Sequence, residues 1–186
     1  DKAKAALILD DVRCGFRLHF GGSWEPLGVK PDLSAWSKAM GNGYAIAALM
    51  GSDAFRDAAK SIFATGSFWY SAVSMAATLA TLAVLEREGG VKHMHRMGER
   101  LCSGLKEQAA AKGLSVNVTG HPTMPYLSFV NETGRDTTTL FASRCAQFGL
   151  YVHPRHNWFV STAIDDRLMD RILGITEKAF SSMRPA

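Results

Sequence analysis

The stretch Ala5-Ala6-Leu7-Ile8-Leu9-Asp10-Asp11, followed by Pro31-Asp32-Leu33-Ser34-Ala35-Trp36-Ser37-Lys38-Ala39-Met40-Gly41-Asn42-Gly43, decides the reading of this chain. The run from Ala5 to Leu9 is too short for a helix and lacks the alternation of a half-wet strand, so it predicts a buried parallel strand. It stops at two acids. Ligands of open α/β sheets sit outside the carboxyl ends of the strands, so Asp10 is placed as a loop cap or as a ligand contact. Leu33 to Trp36 predicts a second extended piece that delivers Lys38. Lys38 has small and apolar neighbours, and the glycines three and five residues on allow a tight turn and close approach to a ligand. Burial of such a lysine lowers the pKa of its ammonium, and the neutral amine is a nucleophile toward carbonyls.

Alone, each residue has an ordinary reading as a turn acid or a solvated loop lysine. Together they form a pattern: Asp-Asp-Val-Arg-Cys-Gly-Phe-Arg at 10 to 17, Lys-Pro-Asp-Leu at 30 to 33, and Ser-Lys-Ala-Met-Gly-Asn-Gly at 37 to 43. This resembles the core of class III pyridoxal-phosphate aminotransferases, and within them most closely the glutamate-1-semialdehyde aminomutase branch. The resemblance implies a fold type I α/β architecture. Residues 1–112 would be the C-terminal part of the cofactor-binding large domain, with a long connecting helix at 91–112, and residues 113–186 an α+β C-terminal small domain. It implies pyridoxal phosphate as cofactor, Lys38 as its Schiff-base lysine and catalytic base, Asp10 beside the pyridine nitrogen, and Val12 against the ring face. Ser67, in the hydroxyl-rich loop Ala64 to Ser71, would reach the cofactor phosphate of a neighbouring subunit in a homodimer. The substrates would be a small amino donor and a keto or aldehyde acceptor. Arg13, Arg17 and Arg155 are candidates for gripping a substrate carboxylate, and the resemblance singles out none of them.

The likeness covers the last half of a typical family member, so the phosphate-gripping Gly-Ser/Thr loop and the ring-stacking aromatic would lie in a half not present here. The charged start, Asp1-Lys2-Ala3-Lys4, reads as that of a fragment. Four departures from the usual family text stand out: Asp11 for Glu, Ser37 for Gly, Asn42 among the glycines, and Tyr70-Ser71-Ala72 for Gly-Asn-Pro. They leave open the substrate and the choice between amino transfer and intramolecular amino shift.

Composition agrees with a globular enzyme. The chain has 186 residues, 47% of them hydrophobic, and a net charge of +4 whose basic residues are scattered among acids, which disfavours nucleic-acid binding. Three widely spaced cysteines without a Cys-x-x-Cys pair suggest neither a disulfide framework nor a zinc site, and point to a reducing, cytoplasmic compartment. No apolar run reaches the roughly 18 residues of a membrane span. There is no Gly-x-Ser-x-Gly hydrolase motif and no Gly-x-Gly-x-x-Gly dinucleotide fingerprint. A decarboxylase or racemase on the same fold, and a non-catalytic scaffold derived from such an enzyme, are the alternatives.

Beyond the first strands the pattern predicts a strand at Ala45 to Gly51, a helix capped by Ser52 through Phe63, and helices from Ala72 to about Glu88 and from Val91 to about Lys112. The N-terminus of the helix at Ala72 suits either an anion or plain capping by Ser71. On the 91–112 helix, Met94, Met97, Leu101 and Leu105 share a face, while His93 and His95 read as surface residues that point apart. Strands are expected at 115–118, 126–130, 150–153 and 158–162, with helices at about 137–148 and 165–183. Asp165 and Asp166 cap the last helix, whose buried side is Leu168, Ile172, Ile175 and Phe180.

Overall fold

The computed structural model describes residues 5–183, so the Asp1 to Lys4 start lies outside the described residues. The chain forms two compact units, Asp1–Val91 and Lys92–Ala186. The division falls between Val91 and Lys92, near the start of the long helix that begins at Gly90.

In the first unit, β1 (Ile8–Asp10) runs parallel to β2 (Leu33–Trp36), and β3 (Ala48–Gly51) pairs antiparallel with β2, in the order β1-β2-β3. The parallel pairing is as expected, but the burial is not: Ile8 is 61% exposed. A parallel strand is buried only when both faces and both edges are covered, and β1 is an edge strand among the described residues. β3 begins three residues later than the apolar run. Ser52 precedes a 3₁₀ turn (Asp53–Phe55) and makes no side-chain cap; the helix that follows, α1 (Arg56–Ser61), is short. α2 spans Ala72–Arg87, and Gly89, at φ +61°, ends it.

The glycine- and aromatic-rich loop between β1 and β2 packs more tightly than its composition suggested. Trp36 is buried, with the rings of Phe16 and Trp24 5.0 and 5.2 Å away, and its indole N–H donates to the Ser34 hydroxyl at 2.9 Å. Gly15 lies flat against it: a Cβ there would sit 2.6 Å from the Trp36 ring.

The second unit holds the main core. α3 (Gly90–Ala111) buries Met94, Met97, Leu101 and Leu105 as its spacing predicts. It ends on Gly113 at φ +68°, with Leu114 N–H reaching back to the Ala109 carbonyl in a Schellman closure. β4 (Val116–Thr119) and β5 (Tyr126–Phe129) form an antiparallel pair. With α4 (Asp136–Gln147) and α5 (Asp166–Ser181) they enclose Leu127, Phe141, Met169 and Phe180, all at most 1% exposed. Asp165 caps α5 by accepting from Leu168 N–H at 2.7 Å, and Ile175 and Phe180 are buried, but Leu168 is 37% exposed.

The strands expected at 150–153 and 158–162 do not form. Leu150 instead donates to the Cys145 carbonyl past Gly149, at φ +93°, and so closes α4. Trp158 and Val160 donate to the carbonyls of Pro125 and Thr123 at 2.8 and 3.0 Å. No ladder follows, because Pro125 has no N–H to return and the Thr123 amide points to His121 Nδ1. His93 and His95 are half-buried: His93 Nε2 donates to the Ile164 carbonyl at 2.8 Å, and the His95 ring stands 4.9 Å from that of His121. Among the described residues, no helix is long and apolar enough to cross a membrane.

Candidate active site

Parallel pairing places Asp10 opposite Ala35, and Asp11 N–H donates to the Ala35 carbonyl at 2.9 Å. Lys38 follows Ala35 by three residues, just past the end of β2. Asp10 and Lys38 therefore stand at the carboxyl ends of adjacent parallel strands, the edge at which open α/β sheets bind ligands.

Each is fixed by its own turn. Asp10 Oδ1 accepts from the Val12 amide at 3.0 Å. Val12 thus opens a turn, and its side chain is half-buried. Asp11, only 2% exposed, takes the Ser23 amide and hydroxyl at 2.9 and 2.6 Å and closes the loop after β1.

Lys38 has φ +47°, in the left-handed region that costs a side-chain-bearing residue roughly 1–2 kcal/mol. Its carbonyl accepts from the amides of Gly41 and Asn42 at 3.1 and 3.2 Å. Asn42, also at +47°, stands where the family text has a glycine, and asparagine tolerates that conformation better than most residues. The desolvation expected of Lys38 is not found: its small neighbours leave the side chain exposed.

Ser67 is exposed in the loop before α2 and lines a cavity of about 560 Å³ together with Ser37, Ile46, Tyr70, Ser71 and Ser74. The structure so brings Ser67 to the same cavity as Ser37, the neighbour of Lys38. Ser71 occupies the N-cap position of α2 without a side-chain hydrogen bond, so plain capping does not explain it. The loop reaches the helix through Tyr70 at φ +63°.

Of the three arginines, Arg13 and Arg155 are exposed and Arg17 is half-buried, where burial pushes its guanidinium pKa down. Sequence reasoning passed over two residues. Ser37 entered only as a departure from glycine, and Asp11 only as a departure from glutamate; a polar side chain where a glycine is usual was the available signal.

The sequence profile of the family described as "Aminotransferase class-III" matches residues 1–180. The chain is 42% identical to an aminopentol aminotransferase of Sphingopyxis macrogoltabida, over 98% of this chain and 43% of the relative. It is 31% identical to a glutamate-1-semialdehyde 2,1-aminomutase of Desulforudis audaxviator, over 95% of this chain and 44% of the relative. The higher identity thus lies with an aminotransferase, which corrects the leaning toward the aminomutase branch. The solved structure of the Sphingopyxis sp. MTA144 FumI protein, in its PLP internal aldimine form, superposes with a TM-score of 0.95 at 42% identity, over 98% of this chain and 44% of that one. An omega-transaminase from Sphaerobacter thermophilus, at 22% identity and a TM-score of 0.84 over 95% of this chain and 44% of that one, shares the fold. The chain spans less than half the length of these relatives. With the profile matched over nearly its whole length and the sheet edge carrying the motif acid and lysine, the chain belongs to the class III aminotransferase family.

Proposed function

We propose that the full-length protein is a pyridoxal-phosphate-dependent aminotransferase that moves an amino group from a small amino donor to a keto or aldehyde acceptor. One observation carries the reading: a carboxylate and a lysine in a strained backbone conformation stand at the carboxyl ends of neighbouring parallel strands. Non-glycine residues in sparsely populated conformations cluster at functional sites. The donor set suits the cofactor, since an amine can bond its aldehyde and a carboxylate can partner its ring nitrogen. When bound, pyridoxal phosphate supplies a carbonyl that condenses with amines and a ring that accepts negative charge from the neighbouring carbon.

The roles of this chain's residues follow from their chemistry. Lys38 Nζ would hold the cofactor through its aldehyde, and its free amine would be the base that takes the substrate α-carbon proton and returns it to the former aldehyde carbon. The Asp10 carboxylate keeps a proton on the ring nitrogen. The Val12 amide, bonded to Oδ1, orients that carboxylate, and the Val12 side chain packs on the ring face. The Ser67 hydroxyl reaches the phosphate of the cofactor in the second subunit of a homodimer. Residues 1–112, the long helix included, are the C-terminal part of the cofactor-binding domain, and residues 113–186 are the small domain. The 42% identity to an aminotransferase favours transfer over intramolecular shift. Unpaired Cys14, Cys102 and Cys145 support a cytoplasmic location.

The test is reduction of the full-length protein with borohydride in the presence of pyridoxal phosphate, followed by peptide mapping. A single label on Lys38 is expected. An unmodified Lys38 would overturn the reading in favour of a non-catalytic scaffold. Product analysis with an amino donor and keto acceptor then separates transfer from decarboxylation or racemisation.

A further inference from the structure

The loop that carries Lys38 is folded back on itself. The Gly41 and Asn42 amides bond the Lys38 carbonyl, and Tyr44 N–H bonds the Gly41 carbonyl at 3.0 Å. Gly41 is so close to the returning chain that a Cβ there would sit 2.5 Å from the Tyr44 carbonyl oxygen and 2.6 Å from Ile46 Cγ2. The loop is closed by one side chain: the Ser37 hydroxyl donates to the Ile46 carbonyl at 2.7 Å. A glycine at position 37 could not make this bond. A left-handed lysine persists only where its surroundings over-determine it; beside the backbone bonds of the turn, Met40 N–H to the Ser37 carbonyl at 3.2 Å among them, the Ser37 hydroxyl adds a side-chain tie from the residue joined to Lys38 to the returning chain at Ile46.

We propose that Ser37 is a positioning residue for Lys38: by tying the loop to Ile46 it holds the lysine backbone at its left-handed angle, and so sets where the amine is presented. The proposal rests on the enzyme reading above. Ser37 touches no reacting atom; it acts through the loop.

The test compares wild-type full-length protein with Ser37→Cys, nearly isosteric but a poor donor, Ser37→Ala, and Ser37→Thr, which keeps the hydroxyl. Hydrogen exchange of the Gly41 and Asn42 amides, read without cofactor, should speed up about fivefold in the Cys and Ala variants, the size of one lost hydrogen bond. The rate of borohydride-fixed labelling at Lys38 should fall by about the same factor. Turnover should follow as a drop in kcat with KM for the amino donor unchanged, and the Thr variant should recover both. A merely structural serine would lower thermal stability and leave the labelling rate and kcat of the folded protein where they were. Slower labelling with unchanged loop exchange would also overturn the proposal. An unlabelled wild-type Lys38 overturns the enzyme reading and the proposal together, whereas a labelled wild type with unaltered Cys and Ala variants overturns the proposal alone.

Discussion

At Lys38 the side chain and the backbone make opposite demands. Its amine is required by the proposed chemistry, while its φ of +47° suits glycine. Replacement by alanine removes the amine and keeps the strain; replacement by glycine removes both. Lys38→Gly should therefore be more stable than Lys38→Ala by about 1 kcal/mol, the left-handed penalty less the extra unfolded-state freedom of glycine. Urea midpoints of the two variants check this, and an alanine variant at least as stable as the glycine one would show that the strain is not held in solution. The identities of Asp10 and Lys38, and their place at strand ends, were legible in the sequence because side-chain chemistry and a short apolar run are local signals. The left-handed angle at Lys38, the turn at Val12 and the clamp from Ser37 were not. Each depends on bonds closed between residues separated along the chain or on a dihedral angle that no composition encodes.

Helices were read well wherever a periodic face met a real core, as on α3, and the strands at 150–153 and 158–162 were misread because apolar runs do not reveal whether a partner has donors to return. Two tests belong to this scale. Gly98 on α3 would ordinarily gain up to about 1 kcal/mol of helix propensity on becoming alanine. Here a Cβ would lie 2.1 Å from the Pro122 carbonyl oxygen, against backbone, so Gly98→Ala should lower the melting temperature. At Gly104 the nearest atom is Leu173 Cδ2 at 2.5 Å, the end of a flexible side chain, so Gly104→Ala should cost less. α4 starts without a side-chain cap from Arg135; Glu132 serves instead, accepting from the Thr138 and Phe129 amides at 3.0 and 3.1 Å and from the Thr138 hydroxyl. Burial alone would raise the Glu132 pKa, but these bonds outweigh it and hold the carboxyl below its usual 4.5. A lowered folded pKa stabilises above the unfolded value and is lost as pH falls through the folded one. Glu132→Gln should thus cost on the order of 1 kcal/mol at pH 7, with the gap to wild type closing below about pH 4 in thermal scans.

The two units differ in how much core they own. In the second, Met97, Leu105, Leu127, Phe141, Met169, Ala179 and Phe180 are each at most 1% exposed, and the Phe141 and Phe180 rings lie 4.4 Å apart. In the first, among the described residues, only Trp36 and Met40 are buried large apolar side chains, while Phe63 is 93% exposed and Val73 and Leu79 stand out from α2. Composition could not foresee this, because it counts apolar residues without saying which of them find neighbours. Buried apolar area is the main favourable term in folding, at about 25 cal/mol per Å², and local opening free energies follow it. Hydrogen exchange along this chain in rising urea should therefore open β1 and α2 first, with α3, α4 and α5 protected until the global transition. Protection of α2 equal to that of α5 would mean that the first unit is covered in solution by surface that this chain does not itself supply.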